Sequence, residues 1–219
     1  TGSGKSTVVA LLARLYDPTH GQITLDGVPI TALDPAALRA HIGVVPQDPF
    51  LFSDSIERNI ALGLGPALEG GDPEHSEVVR RAAGVAQLHE QILEFPHQYS
   101  TMLGERGINL SGGQKQRATL ARALARDPVV LVLDDALSAV DTHTEAAILA
   151  DLRGAVRGTT AFIISHRVSA VMHADQILVI EDGRIVERGK HTDLIGADGT
   201  YARLLRRQLL EEGLETVLS

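Results

Sequence analysis

Two adjacent aspartates close an apolar run in LVLDDALSAVD, residues 131–141, and a third, Asp141, follows six residues after the second. A buried strand whose last residues leave a sheet brings carboxylates to a crevice where they meet a metal or water instead of oil. Taken alone, Asp134 and Asp135 also suit a solvated turn or a helix start. A second cluster, TGSGKST, occupies residues 1–7. Gly2 and Gly4 lack Cβ atoms, so the backbone N–H groups about Ser3 can curl round a phosphate. Lys5 adds a point charge, and Ser6, followed by Thr7, offers a hydroxyl for Mg2+. A third cluster is Ser111, Gly112, Gly113 and Gln114. Ser111 stands where a helix N-cap belongs. Two glycines just inside a helix start cost about 1 kcal/mol each against alanine, and close approach of a phosphate to bare backbone is a reason for them. Tight packing of that turn against a neighbour is the other.

Elements that position these residues follow from turn signals and apolar periods. TVVALLARLY, residues 7–16, has helical spacing at Val8, Val9, Leu11, Leu12 and Leu15, which sets the glycine turn at a helix N-terminus. Strands are expected in GQITLDG (21–27), HIGVVPQD (41–48), DPVVLVLDD (127–135), TTAFIISH (159–166), ADQILVIEDG (174–183) and RIVERG (184–189). The continuous apolar runs at 129–133 and 161–164 are expected to be covered on both faces of a parallel sheet. Helices are expected over 76–93 and 142–156. Roughly residues 48–126 hold no strong strand and read as a helical subdomain inserted into an α/β core, with a loop at 63–73.

Composition bounds the partners. With 219 residues the chain is long enough to bury a sizeable core, and 44% hydrophobic with 22% charged residues is ordinary for a globular domain. No apolar run approaches the roughly 18 residues a membrane helix needs, and no secretory leader is legible at the start. The absence of cysteine suits a reducing compartment. A formal charge of −8 argues against a nucleic-acid backbone as the main partner.

Taken in order, the motifs resemble the nucleotide-binding domain of ABC transporters. TGSGKST is similar to the end of that family's phosphate loop, VPQD around Gln47 to its Q-loop and LSGGQ (110–114) to its signature. LVLDD is similar to its Walker B strand, SAVD ending in Asp141 to its D-loop, and IISHR around His166 to its switch histidine. The resemblance runs from the first residue to GTYARLLRRQ at 199–208, and QDPFLFSDSIERNI with GERG (104–107) is similar to exporter stretches that contact transmembrane domains. It implies a P-loop NTPase-like parallel-sheet core. The full pattern G-x-x-x-x-G-K-[ST] needs a glycine five residues before Gly4. The chain is therefore expected to start inside that loop, with its feeding strand and N-terminal β-subdomain largely missing.

The resemblance also implies roles. Gly2, Ser3, Gly4, Lys5, Ser6 and Thr7 would hold the phosphates of ATP, with Mg2+ bound by Ser6, Gln47 and Asp134. Gln47 would sense the metal and the attacking water, and His166 would donate to the γ-phosphate. Ser111, Gly112, Gly113 and Gln114 would cap ATP held by a second such domain packed head to tail. One departure stands out: members that hydrolyse ATP well carry glutamate directly after the Walker B aspartate, as general base, and this chain has Asp135. Its carboxylate is one methylene shorter, and a misplacement of about 1 Å can cost around 10²-fold in rate. The expectation is a low-activity site in a heterodimeric exporter, with fused transmembrane domains, at the cytoplasmic face of a membrane. A homodimer with a repositioned water, a soluble ABC-type ATPase and a nucleotide-dependent clamp are the alternatives. The transported substrate and the base preference leave no mark on these residues.

Overall fold

The computed structural model describes residues 4–65, 73–104 and 109–218. Gly2 and Ser3, most of the 63–73 loop and the last three residues of GERG lie outside them. In chain order the elements are α1 (Lys5–Leu12), β1 (Thr24–Leu25), β2 (Val28–Pro29), α2 (Pro35–Ala40), β3 (Ile42–Val45), α3 (Ile56–Ala61), α4 (Pro73–Val85) and α5 (His89–Leu93). There follow α6 (Gly112–Ala125), β4 (Val130–Asp134), α7 (Thr142–Ala155), β5 (Thr160–Ile164), α8 (Val168–Val171), β6 (Ile177–Glu181), β7 (Arg184–Gly189), α9 (His191–Gly196) and α10 (Thr200–Leu218).

β4 is the centre of a three-stranded parallel sheet in the order β3, β4, β5. Its alternating side chains divide the interior. Leu131 and Leu133 join a core built with α3, α4, α6 and α7, whereas Val130 and Val132 join a smaller core with Ile30, Leu38 and Ile42. α1 packs against β4 and contributes Val9 and Leu12 to the smaller core. A third cluster, of Val168, Ile177, Leu194 and Tyr201, joins α8, β6, α9 and α10.

Two features differ from the sequence expectation, and the pairing of the last two strands adds to it. β5 is not covered on both faces: Thr160, Ala161 and Phe162 are exposed, because β5 lies at the edge of the described sheet, whereas β4 is flanked on both sides. The last two strands, β6 and β7, do not extend the parallel sheet but pair with each other antiparallel. Asp182 and Gly183, at φ 48° and 72°, form the kind of two-residue turn that such a hairpin requires, and Asp26 with Gly27 does the same for β1 and β2. Finally, the helix expected over 76–93 is two helices. Gln87 enters the left-handed region at φ 54°, and the Leu88 and Gln87 amides return to the carbonyls of Ala83 and Gly84, a Schellman ending for α4.

Among the described residues of 48–126 the regular secondary structure is helical, joined by irregular segments and a single bridge between Ser55 and Met102. α3 and α4 both pack on α6. A buried Asn59 ties the segment after β3 to this layer: its Oδ1 accepts from the Phe52 amide at 2.8 Å and from Arg122 Nη2 at 3.0 Å, and its Nδ2 donates to the Phe52 and Ser55 carbonyls. Arg122 also donates to the Asn59 and Phe50 carbonyls.

Candidate functional site

Parallel register brings the candidate residues to one edge. Val45 of β3 is level with Leu133 of β4, and Asp134 is level with Ile164 of β5. Gln47, Asp134, Asp135 and His166 therefore leave the carboxyl ends of three adjacent strands, the place where open α/β sheets bind ligands. Gln47 is exposed there, two residues beyond the end of β3.

α1 brings its N-terminus to the same edge. Gly4 caps it at φ 95°, a left-handed conformation that suits glycine, and no acidic side chain occupies the first turn. Ser6 lies beside Asp134, where its hydroxyl favours the charged carboxylate. Burial, and then the charge of Asp135, push the Asp134 carboxyl above the usual carboxylate range, against the opposing pull of Ser6, Lys5 and His166. Thr7, next to Ser6, is exposed. Among the described residues no group of three or more His, Cys, Asp or Glu side chains is placed to hold a metal. A hydroxyl and one carboxylate beside a helix N-terminus and a lysine do suit a hard cation that completes its shell with water and phosphate oxygens, the usual manner of Mg2+.

Asp135 turns out of β4 at φ 44°, a left-handed conformation that aspartate tolerates better than most residues. Its amide donates to the Ile164 carbonyl at 2.9 Å. The carboxylate, only 7% exposed, accepts from the His166 amide through Oδ1 at 3.1 Å, while Oδ2 lies 3.3 Å from His166 Nε2. Asp135 is thus turned onto the histidine, whose ring remains largely exposed.

The start of α6 is a capping box: the Gln114 amide donates to Ser111 Oγ at 3.2 Å and the Ser111 amide to Gln114 Oε1 at 2.9 Å. Gln114 Nε2 reaches Gln91 Oε1, which also accepts from Arg117 Nη2, so α5 steadies this helix start. Ser111 and Gly112 are exposed. The two glycines have different reasons. A Cβ on Gly113 would stand 2.8 Å from the Ala139 carbonyl oxygen, so packing against the 135–141 loop accounts for it. A Cβ on Gly112 would make only an ordinary 3.5 Å contact with Ala139 Cβ, so packing does not demand glycine there.

The third aspartate also has a local role. Asp141 is the N-cap of α7 and accepts from the Thr144 amide at 2.9 Å, a bond that holds its carboxyl below the usual range. Sequence reasoning missed Gln116, Glu145 and Arg167, which hold the 135–141 loop. The one signal in the sequence was the arginine directly after the candidate histidine; the burial of Gln116 and Glu145 follows from the fold.

A parallel sheet carrying a helix N-terminus, a carboxylate pair, a glutamine and a histidine at one edge, with a helical layer presenting a capped glycine turn, defines a nucleotide-binding domain of the P-loop type. The family model described as "ABC transporter" matches residues 1–138, and the chain belongs to that family. It is 48% identical over 217 residues to mouse "ATP-binding cassette sub-family B member 6", covering 99% of this chain and 25% of that protein. It is 49% identical over 204 residues to the Bacillus subtilis (strain 168) "Uncharacterized ABC transporter ATP-binding protein YknU", covering 93% of this chain and 34% of that one. The solved "Structure of a bacterial Atm1-family ABC exporter with ATP bound" superposes with a TM-score of 0.86 at 43% identity, over 95% of this chain and 35% of that chain. The chain thus spans about a quarter to a third of the length of these relatives.

Proposed function

We propose that this domain binds ATP and Mg2+ at the edge formed by α1, β3, β4 and β5, and pairs with a second ABC domain to drive export through attached transmembrane domains at the cytoplasmic face of a membrane. Support comes from the convergence of Lys5, Ser6, Gln47, Asp134, Asp135 and His166 at one sheet edge, together with a solved relative that is an ABC exporter with ATP bound. In this reading Gly2, Ser3, Gly4, Lys5, Ser6 and Thr7 hold the phosphates, and Ser6, Gln47 and Asp134 hold the metal. Mg2+, when bound, supplies charge neutralisation for phosphoryl transfer. The exposed Ser111 and Gly112 face the partner's nucleotide.

The observation that carries the finer reading is the turn of Asp135 onto His166. A carboxylate one methylene short of glutamate, with both oxygens against a histidine, is poorly placed to take a proton from water in front of a phosphate. We infer that hydrolysis at this chain's own site is slow, and that fast turnover occurs at a site on a non-identical partner completed by this chain's Ser111 turn. The test uses the whole transporter. Ser111→Arg is expected to abolish fast ATP hydrolysis, while Lys5→Ala leaves most of it. Equal loss from both substitutions would mean two equivalent sites and would refute the asymmetric reading. ATP-dependent closure with no turnover at either site would identify a clamp instead.

A further inference from the structure

The loop 135–141 is gripped from two sides. From α6, Gln116, only 3% exposed, donates to Ser138 Oγ at 3.0 Å and accepts from the Ala139 amide at 2.9 Å. From the other side Arg167, the residue after His166, donates to the Ser138 carbonyl at 2.8 Å, to the Val140 carbonyl at 3.1 Å and to the Glu145 carboxylate. Glu145 lies in the first turn of α7 and is 2% exposed, and its Oε1 has no hydrogen-bond partner among the described residues.

A buried ion pair is weak support for a fold, since well-packed apolar side chains of similar volume often do as well or better. An arginine here does something they cannot. Its planar fork spans two carbonyls of one loop and a carboxylate at once, which a lysine's point charge cannot reproduce. Its backbone continues directly from His166, whose own amide is bonded to Asp135. The histidine, the aspartate, the 135–141 loop and, through Gln116, the start of α6 therefore form one hydrogen-bonded chain.

We propose that Arg167 is a positioning residue for ATP hydrolysis. It fixes the 135–141 loop relative to His166 and so sets where Ser111 and Gly112 present themselves to the partner's nucleotide, while Glu145 fixes the guanidinium. This rests on the reading that the Ser111 turn completes the partner's site.

Three variants of the full transporter test it: Arg167→Met, the double variant Arg167→Met with Glu145→Gln, and Arg167→Lys. Arg167→Met alone strands a buried carboxylate and lowers the Tm. The double variant removes that charge and is expected to regain the Tm. If Arg167 positions the loop, kcat falls on the order of 10- to 100-fold in both, and KM for ATP stays within about twofold. Arg167→Lys, which keeps the charge pair and loses the fork, is expected to keep the Tm and lose kcat. Parental kcat in the double variant or in Arg167→Lys would show that Arg167 only neutralises Glu145 and would overturn the proposal. If Arg167→Met does not assemble, Arg167→Lys carries the test. Ser111→Arg in the same preparation separates the two ideas: intact turnover there sinks the shared-site reading itself, whatever Arg167 does.

Discussion

Replacing Asp135 by glutamate lengthens the side chain by one C–C bond, about 1.5 Å. At present Oδ1 sits 3.1 Å from the His166 amide and Oδ2 lies 3.3 Å from its Nε2, in a side chain that is 7% exposed. A glutamate built on the same backbone cannot keep both contacts without folding back, so its carboxylate advances on the order of 1 Å toward the open edge beside Gln47 and α1. Moving a general base by that distance is worth around 10² in rate, or about 2.7 kcal/mol in the barrier. Set against this are a left-handed backbone that favours aspartate over glutamate and the crowding of an extra methylene, together about 1–3 kcal/mol of fold stability. The two effects fall on different observables: the first on kcat, the second on Tm.

The assay is single-site turnover in the assembled transporter, with the partner's own phosphate-loop lysine changed to alanine so that only this chain's site hydrolyses. Asp135→Glu is expected to raise kcat by 10- to 100-fold and lower the Tm by a few degrees. A folded variant with an unchanged kcat would refute the argument that reach limits this site. It would leave the contact with His166, or a water held elsewhere, as the limiting feature.

Other expectations follow from single contacts. Gly113→Ala is expected to destabilise the domain by about 1–3 kcal/mol because of the 2.8 Å approach to the Ala139 carbonyl, whereas Gly112→Ala keeps or raises the Tm, so any loss of turnover with Gly112→Ala reports on the nucleotide face. Asn59→Ala strands the Phe52 amide and an Arg122 hydrogen bond, and is expected to cost about 2–3 kcal/mol in thermal unfolding. The Asp141 carboxyl is lowered by the Thr144 amide. Its contribution to capping α7 is therefore complete above the ordinary carboxylate value and is lost as pH falls through the lower folded value, which hydrogen exchange at the Thr144 amide across acid pH would follow. Faster exchange as pH rises above neutrality, beyond the intrinsic rate, would contradict that sign.

Legibility in the sequence tracked how local each cause is. Asp-Gly pairs, the Ser111 cap with Gln114 three residues on, and the Val/Leu run of β4 each carry their reason within a few positions, and each lies where its spacing implies. The antiparallel pairing of β6 with β7 likewise has a local cause in the Asp182–Gly183 turn between them. The exposure of Thr160–Phe162 could not be read at all, since an apolar run says what a strand prefers and not which neighbours it has.

The same distinction separates the glycines of the signature turn. Composition showed only that two costly residues sit inside a helix start; deciding between a ligand and a neighbour needed the Ala139 carbonyl in place, and the answer differs for Gly112 and Gly113. Arg167, Glu145 and Gln116 lie on three separate elements, so no spacing rule joins them until the 135–141 loop is folded between β4 and α7. Asp135 shows why this matters for function. From sequence it is a general base made too short. In the fold it is also a left-handed residue bonded to the His166 amide, so an aspartate there has a structural reason as well as a kinetic consequence. On the proposed reading, such an aspartate gives up water activation at this chain's own site while it holds the His166 backbone, and the rest of the 135–141 loop supports the α6 turn that would face a partner's nucleotide.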